Sequence, residues 1–262
     1  MEKQQFIISS VSGIAGFITL NRPAVHNALH IGMIRELSAA IRHFSQQPGI
    51  RVIIINAHGE NFSAGADLQW MKSGMDQTRH QLENESKELA MLFNDIHNSP
   101  KVTVAVARGK VIGGANGIVA AADITLAAKG TTFMFSEVRL GLVPATIAPY
   151  IVNRTGKGIA QEWMLTGRPI DLEEALMRGL VHRELDEDNE EETGRLISML
   201  QQNGPEAMKG VKALFKKTEL GGNPDLLMEE TAKLIALYRT SPEGQEGMKA
   251  FFEKRQPGWR NA

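Results

Sequence analysis

Hydrophobic and polar positions change rhythm repeatedly along this chain, and the changes mark out its elements. Apolar residues at 7–9 and 14–20 read as two strands turning around Gly13. After Asn21-Arg22-Pro23, the spacing of Ile34, Leu37, Ile41 and Phe44 predicts a helix over 31–44 that Pro48-Gly49 stops. The β-branched run at 51–56 is too short for a helix and predicts a buried strand. A glycine-containing turn and a polar helical stretch over 78–97 follow, then a second buried strand at 101–107. Gly109, Gly113 and Gly114 form another turn, a small-residue helix is predicted over 114–122, and a further strand over 124–128.

Strands alternating with helices predict an α/β core, and the recurrence of strand, glycine turn and helix points to a repeated structural unit. Beyond about residue 155 helical spacing dominates: 159–165, 172–178, an acidic 187–202, then 205–218, 224–239 and 242–254. Each of the last three opens on a proline, which suits a first helical turn. The acidic run at 184–192 reads as a solvated helix start.

Composition narrows the function. The 262 residues are 42% hydrophobic and 23% charged, with a net charge of −1. No general attraction to nucleic acid or an anionic membrane follows from that balance. The absence of cysteine excludes disulfides, thiolate metal sites and a cysteine nucleophile. Without a signal-like N-terminus or a spanning apolar run, a cytoplasmic protein is expected.

Two segments carry the candidate chemistry: Asn61-Phe62-Ser63-Ala64-Gly65-Ala66-Asp67-Leu68 and Gly109-Lys110-Val111-Ile112-Gly113-Gly114-Ala115-Asn116-Gly117. Each follows a buried strand and precedes a helix. Small residues let backbone approach a ligand, and two N–H groups converging on one carbonyl oxygen stabilise an enolate or oxyanion. The plainer reading of each segment is close helix–strand packing. Neither fits a nucleotide-binding loop.

Taken in order, these segments resemble the enoyl-CoA hydratase/isomerase (crotonase) family. The other matching pieces are Asn21-Arg22-Pro23 with Asn27-Ala28-Leu29, Ala122-Asp123-Ile124, Phe135-Ser136-Glu137 and Leu140-Gly141-Leu142-Val143-Pro144. Leu165-Thr166-Gly167 and Glu246-Gly247-Met248 through Arg255 complete the match. The resemblance implies an α/β crotonase spiral of ββα units over 1–195 and a helical oligomerisation region over 196–262. It also implies a homotrimer or dimer of trimers. The substrate would be an acyl-CoA thioester, with coenzyme A as part of the substrate and no permanently bound cofactor or metal. By the same resemblance, the oxyanion amides belong to Ala66 and Gly114. Ala24, Ala64 and Leu68 cradle coenzyme A, Arg22 lies near phosphate, and Phe251 and Lys254 reach the nucleotide from a neighbouring subunit.

One departure matters. Where many hydratases of the family carry two glutamates, this chain has Gly117 at the first position and Glu137 at the second. Glu137 sits in an apolar stretch, where burial raises a carboxyl pKa and suits proton transfer. Asp67 reads as a helix-start residue and Asp123 as structural. Asn116, Gly117 and His26 are the candidates for the substrate pocket: Asn116 to position water or a polar group, Gly117 to leave room for a β-substituent.

A single carboxylate is compatible with hydration and with a proton shift between the α and γ carbons; the shift needs only one base. The stretch from Ser136 to Ala145, with Gly117 and Val25-His26-Asn27-Ala28, resembles bacterial hydratases of branched, carboxylated enoyl-CoAs such as 3-methylglutaconyl-CoA. Hydration is the leading expectation, with Arg139 or Arg154 toward a substrate carboxylate. Thioester hydrolysis, and a non-enzymatic binding or scaffold role, are also compatible with the sequence.

Overall fold

The computed structural model describes residues 5–186, 189–218 and 224–260. In chain order the elements begin with β1 (Ile7–Ser12), β2 (Ala15–Leu20), α1 (Ile31–Gln46), β3 (Val52–Ala57), α2 (Leu68–Gly74) and α3 (Arg79–Asn98). They continue with β4 (Val102–Ala107), β5 (Lys110–Ile112), α4 (Ala115–Ala121), β6 (Ile124–Ala128), β7 (Thr132–Met134), α5 (Ala148–Thr155) and α6 (Lys157–Thr166). Last come β8 (Pro169–Ile170), α7 (Leu172–Met177), β9 (Arg183–Leu185), α8 (Asn189–Gln201), α9 (Pro205–Thr218), α10 (Pro224–Thr240) and α11 (Pro242–Phe252).

β1, β2, β3, β4, β6 and β9 form one sheet in that order, and β5, β7 and β8 a smaller one. Only the β1–β2 pair of the large sheet is antiparallel; its turn places Gly13 at φ +55°. The parallel strands are buried on both faces, which explains their continuous apolar runs. Ile53 and Ile55 of β3 face the core under α1, α3 and α4, while Val52 and Ile54 face Leu196 and partly buried Leu200 of α8.

The repeated unit is visible. β3, a one-residue bridge at Ser63 and α2 form one turn, β4, β5 and α4 the next, and β6, β7 and α5 a third. Ser63 pairs with Val111 of β5, and β5 pairs with β7, so the short segments stack as a second layer. α2, α5 and the two- to three-residue strands carry no clear signal in the sequence. The helix predicted at 31–44 runs two residues further, to Gln46. The start of the acidic helix expected at 187 lies outside the described residues. α9, α10 and α11 pack on one another. No helix among the described residues is long and apolar enough to cross a membrane.

Candidate active site

The first loop, 58–67, is laced to the segment 22–29. Asn27 is fully buried; its Nδ2 donates to the carbonyls of His58 (2.8 Å) and Asn61 (2.9 Å), and its Oδ1 accepts from the Arg22 amide at 2.7 Å. The Ala64 amide donates to the His26 carbonyl at 2.9 Å. Leu29 and Asp67 exchange backbone bonds that straddle Ala66: Leu29 N to Gly65 O at 2.7 Å and Asp67 N to Leu29 O at 2.8 Å. The structure therefore brings Ala64 to His26, two residues after Ala24, and Ala66 beside Leu29, while Leu68 opens α2 and is 81% exposed. His26 itself is exposed, and its ring Nδ1 lies 3.1 Å from Asn61 Nδ2.

Asp67 caps α2, accepting from the amides of Gln69 at 2.8 Å and Trp70 at 3.2 Å. Its other oxygen receives Arg22 Nη2 at 2.9 Å. Burial pushes the Asp67 carboxyl up, but the Arg22 hydrogen bond, the two amides and the Arg22 charge outweigh it, so the group lies below the ordinary carboxylate value of 3.8. Arg22 also donates to the Ala28 carbonyl and lies over the Phe6 ring. Its guanidinium ties the 22–29 segment to the loop of Ala66.

The second loop lies directly against the first. Gly65, at φ +89°, is so close to it that a β-carbon there would stand 2.9 Å from the Ile112 carbonyl. Neither the Ala66 nor the Gly114 amide has a hydrogen-bond partner among the described residues. Ala66 is exposed and Gly114 half-buried, so both N–H groups are open to a ligand oxygen.

Glu137 is placed by the end of β7. Phe135 is fully buried and stacks on Trp163, with ring centroids 6.0 Å apart, and Trp163 Nε1 donates to Glu174 Oε1 at 3.0 Å. Two residues later the chain makes a 3-10 turn, Glu137–Leu140, that delivers the carboxyl to the glycine pair. A β-carbon on Gly113, at φ +54°, would lie 3.1 Å from Glu137 Oε1. Oε2 is buried with no hydrogen-bond partner among the described residues. Burial raises this carboxyl above its ordinary 4.5, as proton exchange with a carbon acid requires.

The neighbours of Glu137 depart from expectation in three places. A β-carbon on Gly117 would stand 2.5 Å from Ile147 Cγ2 and 2.6 Å from Phe93. The space expected for a substituent is already filled by those two buried side chains. Asn116 points away from the loop surface: it is fully buried, and its Nδ2 donates to the carbonyls of Val111, Gly113 and Met134. Arg154 is committed at the far end of α4, where it donates to the carbonyls of Ala120 and Ala122 and contacts His182; burial draws its pKa down to about 10. It is not available to a substrate carboxylate at Gly114. Arg139 is exposed and has no side-chain partner among the described residues. Asp123 is structural, held by Thr103 Oγ1 at 2.9 Å and Lys212 Nζ at 2.6 Å.

Phe251 and Lys254 are not brought to these loops within the chain. The segment after α11 is tied to the start of β3, where Arg51 Nη2 donates to the Trp259 carbonyl at 2.8 Å, whereas the Ala66 loop follows the end of β3. Phe251 is 79% exposed.

Two amides without partners among the described residues can polarise a carbonyl, and Glu137, with its buried Oε2, lies beside the glycine pair that carries the Gly114 amide and can move a proton there. The model of the family described as "Enoyl-CoA hydratase/isomerase" matches residues 10–262. A crystal structure of an enoyl-CoA hydratase from Shewanella pealeana superposes with a TM-score of 0.95 at 35% identity, covering 97% of this chain and 96% of that one. Enoyl-CoA hydratase AFT6-1 of Alternaria alternata is 34% identical over 79% of this chain and 68% of its own length. A trans-2-decenoyl-[acyl-carrier-protein] isomerase of Streptococcus mutans is 29% identical over 85% of both chains. The chain belongs to the enoyl-CoA hydratase/isomerase family and has its crotonase fold. It is thus an enzyme of a family that acts on acyl-CoA thioesters.

Proposed function

We propose that the protein is an enoyl-CoA hydratase that uses Glu137 as its only acid–base group. The observation that carries this reading is half-buried Glu137, its Oε2 buried with no partner among the described residues, beside the glycine pair whose Gly114 amide is open. In this mechanism the Ala66 and Gly114 amides hold the thioester oxygen, which draws electrons from the double bond and leaves the β-carbon electrophilic. Glu137 takes a proton from water as the water oxygen bonds to the β-carbon, and the electron pair moves to the thioester oxygen. The enolate then collapses as the α-carbon takes the proton back from the same carboxyl. One water is consumed, and the carboxylate is regenerated.

The substrate we favour is a branched, carboxylated 2-enoyl-CoA such as 3-methylglutaconyl-CoA. Supporting this is the likeness of the 136–145 stretch to hydratases of that group. The apolar surroundings of Gly117 agree with it, since no second carboxylate stands there to repel an anionic acyl chain. Arg139 is the exposed cation two residues from Glu137 that would meet that charge. Phe251 and Lys254 would complete the coenzyme A site from a second copy in a trimeric assembly.

A second reading is a 3,2-enoyl-CoA isomerase. It is favoured by Phe93 and Ile147 closing the place of the absent glutamate, because a one-base shift needs neither a second carboxyl nor a bound water. Mass-spectrometric product analysis on crotonyl-CoA, 3-methylglutaconyl-CoA and a 3-enoyl-CoA separates the two. Gain of one water on the branched substrate is the result expected. Mass-neutral conversion of the 3-enoyl substrate alone would make the enzyme an isomerase.

A further inference from the structure

The Gly114 amide is open only because the peptide that carries it is turned outward. In a planar trans peptide the C=O and N–H point in opposite directions, so whatever holds the Gly113 carbonyl inward also aims the Gly114 N–H at the ligand. The carbonyl is held twice by the same residue: by the Asn116 backbone N–H at 2.9 Å and by Asn116 Nδ2 at 3.0 Å. The Asn116 amide also spans the carbonyls of Val111 in β5 at 3.3 Å and of Met134 at the end of β7 at 3.1 Å. Three carbonyl acceptors around one atom identify it as the nitrogen of the side-chain amide.

Packing alone does not require asparagine at 116. Every other residue of α4 is glycine, alanine, valine or isoleucine, and all seven are buried. Asn116 Oδ1 is buried with no partner among the described residues. A polar side chain is thus kept in an apolar helix at the cost of an unsatisfied acceptor, and only its donor end is used. The first loop achieves the same orientation by another route, since the Gly65 carbonyl is held by the Leu29 backbone amide.

We infer that Asn116 is a positioning residue for the oxyanion hole, orienting the Gly113–Gly114 peptide so that its N–H meets the thioester carbonyl. This rests on the oxyanion-hole reading above but not on the choice between hydration and isomerisation. Its role is distinct from touching substrate, because the side chain faces into the protein.

The test is the infrared stretch of a ¹³C-labelled thioester carbonyl in bound butyryl-CoA, a saturated ligand that cannot turn over. It is measured for the wild type, Asn116→Leu and Asn116→Ala. Wild-type enzyme is expected to lower the stretch relative to free ligand. Both variants are expected to return it part of the way, with kcat reduced about 10- to 100-fold and KM within about threefold. A merely structural residue would change thermal stability without moving the carbonyl band. A wild-type band in folded variants overturns the inference while leaving the oxyanion hole intact. Failure of both variants to fold also overturns it, by making Asn116 a residue of the fold instead. An unshifted band in the wild type would overturn the oxyanion reading itself, and the inference with it.

Discussion

The two helices that follow the open amides are opposites. α2, after Ala66, buries none of its seven residues, and Leu68 at its start is 81% exposed. α4, after Gly114, buries all seven, wedged between α3 and α5. The first loop is held by polar bonds reaching 31 to 45 residues back to Arg22, Asn27 and Leu29. The second is held from within, by Asn116 and by β7, the strand that leads to Glu137. A segment with few buried contacts opens locally at low cost, and one embedded in the core does not. In the mechanism proposed above, the pair would divide the work: the sparsely packed α2 side would meet the coenzyme portion, and the embedded α4 side would hold the reacting carbonyl and the Glu137 carboxyl in place.

That division predicts which changes alter turnover and which alter binding or stability. Glu137→Gln, on the rigid side, should lower kcat by about 10³-fold while acyl-CoA affinity, measured by equilibrium titration, stays close to wild type. Gly65→Ala strikes the contact between the two loops. The added β-carbon meets the Ile112 carbonyl at 2.9 Å in a left-handed conformation, so the amides should separate and kcat fall by about 10²-fold, read by steady-state kinetics.

Gly117→Glu would supply the carboxylate found in two-glutamate hydratases, yet no gain in hydration is expected. The side chain must displace Phe93 and Ile147, and denaturant unfolding should show a loss of about 3 kcal/mol. Arg22→Met, on the α2 side, leaves Asp67 without its cation and should cost about 2 kcal/mol, with a raised KM and little change in kcat. The sign of its pH dependence follows from Asp67. Because the folded group lies below 3.8, its contribution is fully present above that value and is lost as pH falls through the depressed one. Urea titrations at pH 7 and pH 3 should therefore differ more for the wild type than for Arg22→Met.

The sequence is most legible on the buried side. Continuous β-branched runs and the spacing of Ile34, Leu37 and Ile41 announce β3, β4 and α1, because long elements in a core carry a clear period. Asp67 reads correctly as a helix cap, since its partners lie two and three residues on. What escapes reading depends on remote partners. Arg22 looks like a free cation in the sequence because Asp67 is 45 residues away. The glycine at 117 suggests space because Phe93 and Ile147, which fill it, arrive from elsewhere in the chain. The strands β5, β7 and β8, of two or three residues, are too short to show alternation and exist through stacking between successive turns. Asn116 stands out only as a polar residue in a run of small apolar ones, a signal that points to the right residue but not to the carbonyls it holds.

In the mechanism proposed for this enzyme, one carboxyl exchanges a proton with the α-carbon of a thioester whose carbonyl the two amides hold. Turnover of an enoyl-CoA in deuterium oxide probes that step itself, with deuterium at the α-carbon of product or recovered substrate read by proton NMR. Wild-type enzyme should place deuterium at the α-carbon, and Glu137→Gln, saturated with the same ligand, should place none above the uncatalysed rate. Undiminished α-deuteration by Glu137→Gln would show that another group moves the proton, and would refute the mechanism.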